Sequence, residues 1–275
     1  WFKNKISAKY ESKHSFLGGN PQHEKSIRVL NRVLSWTPEG IQYEADQRHA
    51  DIVVEQLGLG NAKGVSTPGS NDDVDKMLQD PGLPLQTQEA TEYRALAARL
   101  NYLALDRSDI QYATKEIARH MATPSEGHWL LMKRLGRYLK ENPRLVQLFR
   151  WQRNEDRDLC TYTDSDWAGD KVSRKSTSGG IAFCGVHGIK SWSSNQTIIA
   201  LSSAEAELYA LLKGASQSLG LKSMAVDLGD DPSVGLWSDA SAAIAISQRS
   251  GLGKLRHIQT QYLWLQERVS AKDIS

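Results

Sequence analysis

The chain has 275 residues, 40% of them hydrophobic and 24% charged, with 34 Lys+Arg against 32 Asp+Glu and a formal net charge of +2. That balance excludes wholesale disorder and gives no strong overall field, so any nucleic-acid surface must come from local clustering of cations. No stretch approaches the ~20 apolar residues of a membrane span and no signal peptide is visible, so an intracellular protein, cytoplasmic or nuclear, is expected.

The length has room for about two domains at roughly 150 residues each. Trp1–Gly19 is polar, rich in Lys and Ser, and has no clear period. Ile27–Trp36 carries apolar residues at Ile27, Val29, Leu30, Val33 and Leu34. The turn signal Thr37-Pro38-Glu39-Gly40 follows, and Ile41-Gln42-Tyr43 alternates like a short strand, which predicts a hairpin. From Ala45 the spacing becomes helical: Ala50, Val53, Val54 and Leu57 share a face and Gly58 is a stop. His49 beside that face reads as a satisfied surface histidine.

Leu59–Gln88 is dense in Gly, Pro, Asn and Asp and reads as a long connection. Three helices follow. Glu89–Leu105 places Tyr93, Leu96, Ala97, Leu100 and Leu103 at 3–4 spacing. Ser108 caps Asp109–Met121, which carries Ile110, Ala113 and Ile117. Ser125 caps a third helix, which is expected to bury Trp129, Leu130, Met132, Leu135 and Leu139. This helix also carries Lys133, Arg134, Arg137 and Lys140. They read as a solvated basic face or, more sharply, as phosphate contacts, with Arg144, Arg150 and Arg153 nearby.

The last third is where carboxylates end hydrophobic elements. Leu159–Asp164 is a strand with Cys160, Tyr162 and Asp164 on one face, Thr161 and Thr163 on the other, and Asp166 back on the first. Cys160 and Cys184 lie in apolar strand-like runs and read as buried free thiols. The loop Gly169–Ser178 is polar and basic, with Lys171, Arg174 and Lys175. Gly179–Val186 and Ile189–Ser193 read as strands joined through Gly188, and Thr197–Leu201 as another short β-like run. Ser202 or Ser203 caps a helix with Glu205 in a capping-box position and Leu201, Ala204, Leu208, Leu211 and Ala215 as its apolar stripe. Val234–Trp237 is a strand ending at Ser238-Asp239, and Ala240–Gln248 a short helix. Two strand ends and a helix start that meet at the end of an α/β sheet would make an acidic pocket. Converging carboxylates repel unless a cation compensates, and a pair of Mg²⁺ ions about 3.5–4 Å apart is the usual arrangement for phosphodiester hydrolysis. Helical geometry does not decide between Glu205 and Glu207, and Asp166 reads equally as a strand-end acid or as a support behind the others.

The run TYTDSDWAGD, RKSTSGG, SWSSNQTIIALSSAEAEL, WSDASAAIAI and RHI resembles the ribonuclease H domain of copia-type retrotransposon Pol polyproteins. YRALAARLNYLALDRSDIQYATKEIARHM with KRLGRYLK resembles the segment joining reverse transcriptase to it, and GIQYEADQRHADIVVEQLGLGNAKGVSTP the tail of the reverse transcriptase. The resemblance covers roughly Ile27 to Val269. It implies a reverse-transcriptase remnant over 1–58, a linker over 59–88, a mainly helical connection over 89–156, and a ribonuclease H-like domain over 157–275. The implied fold is α/β, a ribonuclease H-like mixed sheet with flanking helices and its last strand truncated. It also implies Asp164, Glu207 and Asp239 as catalytic, metal-binding acids, and Mg²⁺ or Mn²⁺ as cofactor. The implied substrate is an RNA–DNA hybrid, and the rest of the Pol polyprotein is the implied partner in an intact element. Lys171, Arg174 and Lys175 become candidate phosphate contacts, with a solvated basic loop as the other reading.

Three departures qualify that expectation. The Tyr-Val-Asp-Asp hairpin of the family's polymerase site is absent, and Asp72-Asp73 has no strand before it. The chain stops at Ser275, where Lys272-Asp273-Ile274 opens the expected last strand, short of the family's fourth acid in Ala-Asp-x-x-Thr-Lys. His257-Ile258-Gln259 stands where the family has His-Ile-Asp. The expectation is impaired hydrolysis, with a catalytically dead nucleic-acid-binding remnant or a pseudogene product as the alternatives.

Overall fold

The structure, a computed structural model, describes residues 2–153, 157–251 and 263–275. The chain divides into two compact units, Trp1–Trp151 and Gln152–Ser275, and is mixed α/β with one sheet in each. His257, Ile258 and Gln259 lie outside the described residues.

The first unit opens with α1 (Phe2–Ser7) and builds an antiparallel sheet from β1 (Ser26–Val29), β2 (Arg32–Thr37), β3 (Gly40–Glu44) and β4 (Val146–Arg150), in that order. The run expected as one strand from Ile27 to Trp36 breaks in two, because Leu30 and Asn31 both take positive φ, 49° and 67°, and turn the chain. Asn tolerates that region better than most residues, and Leu does not, so the turn was not legible. β4 was not expected either. Its period-two pattern covers only five residues, and its partner β3 lies about a hundred residues earlier in the chain. Gly40 sits against the Phe149 carbonyl, where any Cβ would collide with the backbone.

Five helices of this unit pack on one another: α2 (Arg48–Gln56), α3 (Asn71–Gln79), α4 (Thr87–Leu103), α5 (Gln111–Ala118) and α6 (Glu126–Glu141). Val53, Tyr93, Leu96, Leu100, Ile117, Met132, Leu135 and Leu139 are buried together in one core. α3 lies inside the stretch read as a connection. Ser70 caps it by accepting a hydrogen bond from the Asp73 amide at 3.3 Å, and Asp72 and Asp73 in its first turn complement the helix dipole. α5 is shorter than the expected 109–121 helix and follows a 3₁₀ turn at Ser108–Ile110. Leu130, expected in the core, is 65% exposed, on the far side of α6 from Met132, Leu135 and Leu139.

The basic residues of α6 mostly have protein partners. Arg134 meets Asp73 at 3.0 Å and donates to the Thr67 hydroxyl at 2.8 Å. Arg137 donates to the Lys63 carbonyl at 2.6 Å and Lys140 to the Ala62 carbonyl at 2.5 Å. These cations fasten the 62–73 stretch to the helix, which replaces the phosphate-contact reading for Arg134, Arg137 and Lys140. Arg144 pairs with Glu44 at 2.6 Å, tying the start of β4 to the end of β3.

The second unit has the sheet β7-β6-β5-β8, made from β5 (Leu159–Asp166), β6 (Thr177–Cys184), β7 (His187–Asn195) and β8 (Val234–Trp237). β5, β6 and β7 form an antiparallel meander, and β8 returns parallel to β5 after the 25-residue helix α7 (Ser203–Asp227). The β6–β7 turn is Gly185-Val186 rather than Gly188. Gly185 takes φ of 58°, and Cys184 pairs with His187 across the turn, while Gly188 sits inside β7 at a register shift. Thr197–Leu201 is not a strand. Ile198 and Ala200 instead pack on Ala206 and Tyr209 of α7. Leu201 lies before the helix and is 68% exposed, so it does not join the buried stripe.

α7 packs on the sheet through Leu208, Leu211 and Ala215, which meet Leu159 and Val234. Its approach is close at Gly214, where a Cβ would collide with the side chains of Thr163 and Leu236. Thr161 and Thr163 therefore lie buried under α7, and Thr161 shares a 2.7 Å hydrogen bond with Ser218. α8 (Ser241–Gln248) and α9 (Trp264–Ser270) complete this core through Ala243 and Leu265. Ser275 exchanges two backbone hydrogen bonds with β8, to Val234 and from Leu236, both at 2.9 Å. That pattern is the one a parallel ladder uses. Cys160 and Cys184 are free thiols as expected, though half-buried rather than buried.

Candidate active site

The C-terminal ends of β5 and β8 lie side by side because the two strands are parallel neighbours, with Tyr162 opposite Trp237. Asp164 is two residues past that pair on β5, and Asp239 two residues past it on the chain leaving β8. The Thr163 hydroxyl donates to the Trp237 carbonyl at 3.3 Å and pins the second strand end beside the first. α7 starts over the same end of the sheet, with Glu205 in its first turn and Glu207 two residues further on.

Glu205 and Glu207 do different work. Ser202 is the cap, its hydroxyl accepting from the Glu205 amide at 3.2 Å. The Glu205 carboxylate reaches back to accept from the Leu201 amide at 2.9 Å and from the Tyr209 hydroxyl at 2.5 Å. Both its oxygens are committed, one to the backbone that leads into α7 and one to a side chain a turn further along it. Glu207 points the other way. Its Oε1 accepts from the Ser165 amide at 3.0 Å and the Ser165 hydroxyl at 2.6 Å. Its Oε2 is buried and has no hydrogen-bond partner.

One carboxylate oxygen from each of Asp164, Glu207 and Asp239 lies within 4.8 Å of the others, with Glu207 buried and both aspartates exposed. Burial pushes the Glu207 carboxyl above its usual range, and the charges of Asp164 and Asp239 push it the same way against the two bonds from Ser165. A buried carboxylate with one oxygen unpartnered and two like charges beside it is a poor arrangement for the protein alone and a good one for a divalent cation with oxygen ligands.

Asp166 stays outside this group. It is exposed, and its carboxylate lies over Gly169, leaving no room for a side chain there. Lys171, Arg174 and Lys175 sit on the loop between β5 and β6, which leaves the sheet at the acidic end. The loop folds around the buried Asp170, which accepts from the Val172 amide at 3.0 Å and from the Ser173 hydroxyl, while its own carbonyl accepts from the Arg174 amide at 2.8 Å. Trp167 donates to the Ala200 carbonyl at 3.1 Å and holds the loop to the segment before α7. Lys171 and Arg174 are exposed and Lys175 is half-buried. Sequence reasoning missed Ser165. The only signal was its place directly after Asp164 in TDSDW.

The chain is 28% identical over 258 residues to the retrovirus-related Pol polyprotein from transposon RE2 of Arabidopsis thaliana, a match that takes in 91% of this chain and 17% of that protein. It is 30% identical over 237 residues to the corresponding polyprotein from transposon TNT 1-94 of Nicotiana tabacum, 84% of this chain and 18% of that one. The chain belongs to the copia-type Pol polyproteins. A shorter relative, the secreted RxLR effector protein 161 of Plasmopara viticola, is 34% identical over 128 residues, 46% of this chain and 88% of that protein. The Pol segment described here spans under a fifth of the length of the Pol relatives it matches. No family model matches this Pol chain, and no solved structure does. Among its described residues no helix is long and apolar enough to cross a membrane.

Proposed function

We propose that the second unit of this Pol segment is a ribonuclease H-like domain that hydrolyses the RNA strand of RNA–DNA hybrids. In this reading Asp164, Glu207 and Asp239 hold Mg²⁺ or Mn²⁺. The observation that carries it is the gathering of one oxygen from each of these three carboxylates, on a Glu207 whose Oε2 is buried with no protein partner. The sheet, a three-strand meander joined by a helix to a parallel fourth strand, is compatible with that fold.

A divalent cation, when bound, supplies Lewis-acid stabilisation of charge on phosphate oxygens and makes water a better nucleophile near neutral pH. The chain supplies the rest. Asp164 and Asp239, exposed at the strand ends, are the ligands a substrate can reach. Glu207 is the buried, oriented one, and Ser165 fixes which of its oxygens faces the cation. Lys171, Arg174 and Lys175 contact the phosphates that flank the scissile bond. Hydrolysis adds water across one phosphodiester bond. The water oxygen bonds to phosphorus, the sugar oxygen leaves, and the two water protons end on the new phosphate and the new hydroxyl or in solvent. Preference for the RNA strand comes from the 2′-OH and the groove shape of the hybrid, not from base sequence.

The test is cleavage of an end-labelled RNA–DNA hybrid by the full chain with Mg²⁺ or Mn²⁺ and with chelator. Metal-dependent cleavage that Asp164→Asn, Glu207→Gln and Asp239→Asn each abolish supports the reading. Hybrid binding with a steep salt dependence and no cleavage under either metal points instead to a nucleic-acid-binding role without catalysis.

A further inference from the structure

A second site of a different character lies along the other side of α7. Between β7, the edge strand, and α7 there is a cavity of about 510 Å³, with Ser178, Ser194, Gln196, Thr197, Lys213 and Trp264 among its lining residues. Its size is in the range, about 300–1,000 Å³, that takes small organic ligands. Lys213 follows Glu207 by six residues on the helix. That separates the two by about 9 Å along the axis and about 120° around it, so the cavity is not part of the acidic group.

Two polar groups of the lining are incompletely matched by the protein. Gln196 is only 7% exposed. Its Nε2 donates to the Ala206 carbonyl at 2.8 Å and to the Ser178 hydroxyl at 3.0 Å. A carbonyl can only accept, so the nitrogen must be the atom facing Ala206, and the amide cannot be flipped. Its Oε1 is then a buried acceptor with no partner. Lys213 is half-buried and bonded to the Ser194 hydroxyl, and no acid pairs with it among the described residues. Burial, and then the nearby Lys190, lower its pKa. The cavity thus calls for an anion at Lys213 and a hydrogen-bond donor at Gln196, with an apolar wall at Trp264. Inorganic phosphate meets the first demand and fills little of the volume. A nucleoside phosphate meets all three through its phosphate, its hydroxyl or amino groups and its base.

We propose that the cavity between β7 and α7 binds a nucleoside phosphate, with the phosphate at Lys213 and a hydroxyl or amino donor at Gln196 Oε1. This site stands independently of the acidic one. The ligand has two sources, a free nucleotide or one unit of an RNA strand, and their chemistry at the cavity is the same.

The test is calorimetric titration of the full chain in excess chelator, which silences metal at the acids. The probes are adenosine 5′-monophosphate, adenosine, inorganic phosphate and a short RNA–DNA hybrid. The nucleotide is expected to bind at least tenfold more tightly than adenosine or phosphate, and Lys213→Met to weaken it at least tenfold. If Lys213→Met weakens the hybrid as well, the source is a strand; if only the nucleotide, a free ligand. A cavity that takes no nucleotide at millimolar concentration, or takes it equally well in Lys213→Met, overturns the proposal. In the wild-type chain the Gln196 side-chain amide resonances should shift on adding the nucleotide, which tests the same site without a variant. Resonances that stay in place contradict it.

Discussion

Ser165 gives both its backbone N–H and its hydroxyl to one oxygen of Glu207, at 3.0 and 2.6 Å, and the other oxygen is left buried without a partner. A residue on β5 thereby sets the orientation of a carboxylate on α7, between two aspartates that come from strand ends. Ser165→Ala keeps the amide bond and loses the hydroxyl one. Outer partners of a metal ligand are worth about 10–100-fold in metal affinity, and with one of two bonds retained the lower end applies. Mn²⁺ titration of Ser165→Ala should show binding about tenfold weaker than wild type. Unchanged affinity would mean that Ser165 does not position the ligand.

Glu205 and Glu207 should separate cleanly by assay. Glu205→Gln disturbs the closure of α7 and should cost about 1–2 kcal/mol of stability, read by urea unfolding, with Mn²⁺ affinity close to wild type. Glu207→Gln removes a crowded charge. It should leave stability in chelator equal or higher and eliminate high-affinity Mn²⁺ binding. The reverse pattern would exchange the roles assigned to the two residues.

His128 gives the first unit a pH dependence. Its Nδ1 accepts from the Ser125 amide at 2.9 Å, and the ring stacks on His120 with centroids 3.8 Å apart. Burial first, and His120 second, push its pKa down to about 4. The folded unit therefore keeps this ring neutral where the unfolded chain, titrating near the ordinary histidine value, takes up a proton. The unfolded state binds more protons between about pH 6.5 and 4, so stability is full above that window and falls as pH drops through it, by roughly 1–3 kcal/mol. Glutamine at this helix position preserves the cap. His128→Gln should flatten the profile, measured by unfolding from pH 7 to pH 4. An equally steep loss in the variant would place the effect elsewhere.

The two basic clusters should differ in their contact with nucleic acid. Neutralising Lys171, Arg174 and Lys175 together should lower the slope of log affinity against log salt for a hybrid by about 2–3, since each phosphate contact contributes about 0.9. Arg137→Gln with Lys140→Gln should leave that slope unchanged and raise the protease sensitivity of the 62–73 stretch, which these side chains hold to α6. A slope that follows Arg137 and Lys140 instead would move the interface to the first unit.

What the sequence revealed tracks the range of the interactions involved. The buried faces of α4 and α5, with Tyr93, Leu100 and Ile117, were legible because a helix repeats its contacts every three or four residues. Strand β4 was not, since five residues carry little pattern and its partner is distant in the chain. The positions of Asp164 and Asp239 at strand ends were readable from the hydrophobic runs before them. Helical geometry left the choice between Glu205 and Glu207 open and only the resemblance pointed to Glu207, because the difference turns on Leu201 and Tyr209 for one and Ser165 for the other, contacts that only the folded chain creates. The cations of α6 misled for a related reason. A lysine or arginine reads the same whether it faces water, a phosphate or, like Lys140 with Ala62, a carbonyl far away in the chain.

The account rests on a cation shared by the three acids, and the most direct measurement is a crystal of the full chain soaked in Mn²⁺ and recorded at the manganese edge. The account predicts anomalous density within coordinating distance, about 2.0–2.6 Å, of oxygens from Asp164, Glu207 and Asp239, with Glu207 Oε2 facing it. Manganese bound elsewhere with these three carboxylates turned apart, or no manganese at them in the millimolar range, would contradict it.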